Sequence, residues 1–177
     1  GVLSVWGQSD PRAAAEYALL FPPGQLRAQS VASAVAQWAQ DEPDAAAQWV
    51  KALPGGQLQS EAARNLIYPL ATQDPLLAAL FVADLPPGRD QENLTRNIAS
   101  MWAQWDLDEA LFWAQRLPEG TAKSAALRTL HGEWARSDPP AAARYATGLA
   151  PGEVRDGLFG DIAQAWAAHD PEAAATW

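Results

Sequence analysis

The chain has 177 residues, 49% hydrophobic and 19% charged, enough apolar material for a buried core and too much for a disordered chain. Its net charge of −9 argues against nucleic acid, whose phosphates require a basic footprint, and the absence of cysteine excludes disulfides, thiolate metal sites and cysteine nucleophiles. No apolar run approaches the ~18 residues of a membrane-spanning helix, so no membrane insertion is expected.

One phrase recurs along the chain. It reads W-A-Q-D-E-P-D-A-A-A-Q-W at Trp38–Trp49, W-A-R-S-D-P-P-A-A-A-R-Y at Trp134–Tyr145 and W-A-A-H-D-P-E-A-A-A-T-W at Trp166–Trp177. Looser copies start at Trp6, Leu70 and Trp102, so every step is 32 residues. A fixed period of this size marks a tandem repeat built from one supersecondary unit. With the frame set on the acid before the proline, the repeats are 10–41, 42–73, 74–105, 106–137 and 138–169, with partial repeats at 1–9 and 170–177.

Each repeat opens on an acid, Asp10, Glu42, Asp74, Asp106, Asp138 or Asp170, followed by proline except at Leu107. An acid at the N-cap accepts bonds from orphaned amides, and proline suits the first helical position. Asp106 and Glu109 have the spacing of a capping box. A first helix of about ten residues is predicted from the apolar spacing that follows. Its buried face carries alanine at 14, 46, 78, 110, 142 and 174, then Tyr17, Trp49, Phe81, Trp113, Tyr145 and Trp177 three places on. Phe21, Leu53, Leu85, Leu117 and Leu149 complete the face.

Proline–glycine stretches such as Pro22-Pro23-Gly24 and Pro54-Gly55-Gly56 then stop the helix. A second helix of about fourteen residues follows. Its stripe runs through Ala34, Leu66, Ile98, Leu130 and Ile162, with Trp38, Leu70, Trp102, Trp134 and Trp166 one turn later. Pro69, inside this helix, predicts a local bend. The unit is therefore an antiparallel helix pair, and stacking the pairs to bury their stripes gives an all-α fold, an α-solenoid of tandem helix hairpins.

On the Asp-Pro-x-Ala-Ala-Ala-x-Trp phrase and the proline-glycine stop, the chain resembles tetratricopeptide-like α-helical repeat proteins. In particular it is similar to Trp/Ala-rich 32-residue arrays of uncharacterised bacterial proteins. It departs from the tetratricopeptide pattern in its period, 32 against 34, and in lacking the Leu-Gly pair. The resemblance implies a surface that binds other proteins or packs on itself; fold alone does not choose between functions.

No catalytic or cofactor constellation is present in the sequence, and no enzymatic activity is expected. The acid column could be read as a ladder of cation ligands, but N-capping accounts for it, and no local cluster supplies the roughly six oxygens that calcium takes. His131 and His169 occupy different columns and lack a nucleophile or carboxylate at a recognisable spacing. His131 falls on the inner stripe, as a core histidine would; His169 precedes a capping acid and is expected to be exposed. Arg64, Arg96 and Arg128 share a column that would either grip an acidic partner or pair with nearby acids on a solvated face. Asn93-Leu94-Thr95 is a glycosylation sequon, relevant only if the chain is secreted.

The column Glu16, Gln48, Leu80, Phe112, Arg144, Thr176 turns apolar in two adjacent repeats, with Leu76 and Trp105 nearby. Leu76, Leu80, Trp105 and Phe112 are therefore the candidate interaction surface, the alternative being internal packing. The chain begins at Gly1, within a second helix, and stops at Trp177, within a first, without polar capping repeats. The expectation is that Val2, Val5, Trp6, Ala174 and Trp177 are covered, either by further repeats or by head-to-tail stacking of copies into a fibre. The function expected is a structural scaffold binding a protein partner or copies of itself. The alternative is a superhelical accessory domain of a larger enzyme such as a bacterial cell-wall hydrolase. Glycan binding through the aromatics is disfavoured by their place on the inner stripe. A cell-envelope or extracellular location is preferred over the cytoplasm.

Overall fold

The structure, a computed structural model, describes residues 10–149 and 151–176. Among them every regular element is an α-helix. Short helices start every 32 residues: α1 (Pro11–Ala18), α3 (Pro43–Lys51), α5 (Pro75–Ala83), α7 (Leu107–Arg116), α9 (Pro139–Thr147) and α11 (Pro171–Thr176). Long ones alternate with them at the same period: α2 (Gln25–Asp41), α4 (Gln57–Gln73), α6 (Arg89–Ala103), α8 (Thr121–Ser137) and α10 (Glu153–His169). The long helices have 15 to 17 residues, more than the fourteen expected, because most of them run on to the residue before the next repeat's acid. Pro69 does not end α4.

Four of the predicted caps form. Asp10 Oδ1 accepts from the Ala13 amide at 2.9 Å, Asp106 Oδ1 from Glu109 at 2.9 Å and Asp138 Oδ1 from Ala141 at 3.0 Å. Asp74 Oδ1 takes two, from Leu76 at 2.9 Å and Leu77 at 3.0 Å. Glu42 is the exception. Its longer side chain makes no cap bond and instead accepts from the Trp38 indole at 2.8 Å. Before the long helices, Gly24, Gly56, Gly88 and Gly120 carry positive φ, most clearly Gly56 at 103°. A Cβ at Gly56 would meet nothing within 4 Å, so glycine stands there for its backbone conformation and not for space.

The chain forms two compact units, Gly1–Leu94 and Thr95–Trp177. In the first, long helix packs on long helix (α2 on α4), and short on short (α3 on α5), with each hairpin closed by its own pair. Gln73 ties these hairpins together by donating to the Ala39 carbonyl at 2.8 Å, and Lys51 pairs with Asp84. In the second, α8 packs on α10, and α9 on both. Ser100 donates to Glu133 at 3.2 Å across one repeat.

The alanine column is more uniformly buried than the aromatic one: Ala14, Ala46, Ala78, Ala110 and Ala142 are all buried. A methyl-sized side chain lets helix axes approach closely. The aromatics pair instead between the long helix of one repeat and the short helix of the next, Trp38 with Trp49 edge-on at 5.9 Å, Trp102 with Trp113 at 5.4 Å and Trp134 with Tyr145 at 5.0 Å between ring centroids. Their burial is graded. Phe81 is 1% exposed, Trp49, Trp113 and Tyr145 are half-buried, and Tyr17 is 45% exposed, which corrects the uniform inner stripe expected of this column. Where Leu70 replaces tryptophan, both Leu70 and Phe81 of the following repeat are fully buried.

Candidate interaction surfaces

Within the first unit α5 reads Pro-Leu-Leu-Ala-Ala-Leu-Phe-Val-Ala, apolar around its whole circumference. One face buries Ala78, Ala79, Phe81 and Val82. The other presents Leu76 and Leu80, one turn apart and 53% and 57% exposed. The same positions one and two repeats earlier hold Asp44 and Gln48, and Arg12 and Glu16. Arg12 and Glu16 pair with each other at 3.1 Å. The two leucines are thus the place where a polar outward column loses its charges.

Trp105 and Phe112 belong to the second unit, Trp105 in the turn after α6 and Phe112 on α7, at 55% and 56% exposed. The Arg116 guanidinium lies 5.1 Å from the Phe112 ring centroid. Neither side chain is packed into its unit's core. Of the assembly-end residues, Val2, Val5, Trp6 and Trp177 lie outside the described residues. Ala174, on α11, is half-buried, and its amide donates to the Asp170 carbonyl at 3.1 Å.

Among the described residues no group of three or more His, Asp or Glu could hold a metal, and no helix is long and apolar enough to cross a membrane. Of the acids at the repeat starts, Asp10, Asp74, Asp106 and Asp138 are occupied as caps and Glu42 by an indole. His131 is 3% exposed on α8, its ring 5.5 Å from that of Tyr145. Its Nε2 is buried without a hydrogen-bond partner. Burial lowers its pKa below 6.5, and the Asp161 carboxylate on α10 opposes part of that shift. Of the arginine column, Arg64 lies 3.7 Å from Asp90, both about half exposed. Asn93 is exposed, but its sequon sits inside α6 with Thr95 buried, unlike the surface loop on which an acceptor is usually presented.

A column that sequence reasoning passed over does structural work. Gln59 Nε2 donates to the Val50 and Lys51 carbonyls at 3.3 and 3.1 Å, and Gln91 Nε2 to Val82 and Leu85 at 3.2 and 3.1 Å. Each glutamine closes the C-terminal end of the short helix before it, where carbonyls lack helical partners. The signal was present: positions 27, 59, 91, 123 and 155 hold Arg, Gln, Gln, Lys and Arg, all long donors set three residues after a glycine. Comparison of the chain with protein-family models, with curated proteins and with solved structures finds no match.

Proposed function

We propose that this chain is a non-catalytic scaffold, a tetratricopeptide-like α-solenoid of tandem hairpins whose surface binds a protein partner or further copies of itself. The observation that carries the reading is the pair Leu76 and Leu80. The core face of α5 is already packed, yet two leucines stand in solvent where the equivalent positions of the two preceding repeats are charged or polar. Exposed apolar groups placed together on one helix face gain free energy only when something covers them.

The test is the double substitution Leu76→Ser with Leu80→Ser. Both side chains are more than half exposed, so thermal stability should stay within about 1 kcal/mol of the parent. Mass measured by light scattering across a concentration series reports self-association, and quantitative affinity capture reports other protein partners. Loss of association at unchanged melting temperature is expected. Unchanged association with lowered melting temperature would assign the leucines to packing and remove the support for the reading.

A further inference from the structure

Three departures from the repeat meet at one helix contact in the second unit. Where the preceding long helices bury Val35, Ile67 and Ala99, α8 buries His131. Where they carry Ala36, Tyr68 and Ser100, α8 has Gly132. Where they and α8 carry Ser33, Asn65, Asn97 and Thr129, all uncharged, α10 has Asp161. A Cβ on Gly132 would stand 4.0 Å from Asp161 Oδ2, so the carboxylate lies against α8 next to the histidine. No hydrogen bond or ion pair joins the two, and His131 Nε2 is buried without a partner. From α9 the Tyr145 ring packs on His131 at 5.5 Å and on Trp134 at 5.0 Å.

We propose that His131 and Asp161 form an acid-operated catch: on protonation the imidazolium leaves the core for the Asp161 carboxylate and frees α9 from α8. The apolar residues at the equivalent positions only fill their sites. A histidine fills this one while neutral and is expelled when charged, because a buried ion without a partner is costly. The Tyr145 ring attracts a cation, but by less than the water the cation has lost. Burial disfavours the proton in the closed state, and Asp161 is the group that opposes this.

The surrounding groups decide where the charge goes. From α10 the histidine faces Asp161, and from α9 the Tyr145 phenol. Arg96 of α6, Asp108, Glu109 and Arg116 of α7, Arg128 of α8 and Arg144 of α9 are all exposed. Glu133 is engaged by Arg136 and Ser100, and Arg155 pairs with Asp156. Asp161 is the half-buried carboxylate at hand, and Gly132, without a side chain, leaves the path to it open.

The test is hydrogen exchange of the full chain, read by mass spectrometry from about pH 7.5 to 5.5 and corrected for the intrinsic exchange rate. Below about pH 6.5 the amides of α9 should lose protection by up to about tenfold per pH unit, the most that one proton gives, while α1 to α4 keep theirs. His131→Leu restores an apolar core residue and should hold α9 closed across the range. Asp161→Asn alters a half-buried side chain and should push the onset to lower pH, because the open state loses the carboxylate that holds the proton. Acid opening of α9 that persists in His131→Leu would overturn the catch. So would an onset unmoved in Asp161→Asn, or an equal loss of protection in the first unit. The scaffold reading stands or falls separately, on its own association measurement.

Discussion

His131 should make the second unit sensitive to mild acid. Its ring is 3% exposed, packed beside Tyr145, with Nε2 lacking a partner, so the neutral form is the one the fold accepts. Desolvation sets its folded pKa below 6.5, and Asp161 offsets this only in part. A histidine with a depressed folded pKa binds more protons unfolded than folded. Its neutral form therefore holds stability that is intact above about pH 6.5 and drains as pH falls toward the folded value. The steepest slope one group can give is about 1.4 kcal/mol per pH unit. Between pH 6.5 and 5.5 that is at most about 1.4 kcal/mol, or roughly 3–5 °C in melting temperature for a chain of this size. The assay is thermal unfolding by circular dichroism from pH 7.5 to 5.5, on the parent and on His131→Leu. The leucine variant should lose most of the pH slope and gain stability, because it removes a buried atom without a partner. His169 is common to both proteins and cancels in the comparison. An equal slope in both would refute the reasoning.

Further outcomes follow from local geometry. Asp74→Ala, which removes the acceptor of two amide bonds, should cost about 1 kcal/mol in chemical denaturation. Glu42→Ala should also destabilise, but through the Trp38 indole, so Trp38→Phe should erase the effect of Glu42→Ala in a double-mutant cycle and leave that of Asp74→Ala untouched. Gly56→Ala should cost about 1–3 kcal/mol although a methyl meets nothing there, since φ 103° is strained for any L residue; a neutral result in the same denaturation series would show that the loop relaxes.

The repeat period, the helix starts and the turns before the long helices were legible because their causes act within a few residues. An aspartate reaches the amides two or three places on, proline accepts the first helical position, and glycine accepts a positive φ. The alanine and leucine stripes followed from helical spacing alone. The exposed pair Leu76 and Leu80 was legible too, as a break in a polar column, because what faces outward in one repeat faces outward in the next.

Other features depended on groups far apart in the chain. Asp and Glu are equivalent as acids, yet Glu42 bonds the Trp38 indole while the aspartates at four other repeat starts cap. One aromatic column contains both Phe81, 1% exposed with Lys51 of the preceding hairpin 5.8 Å from its ring, and Tyr17, 45% exposed. The Nε2 of His131 is left without a partner by the packing around it, not by its neighbours in sequence. Gln73 reaches the Ala39 carbonyl only because α2 and α4, 32 residues apart at their starts, lie side by side. Periodicity tells which face of a helix is buried. Which groups meet across that face, and which are left facing water, is decided when the helices pack.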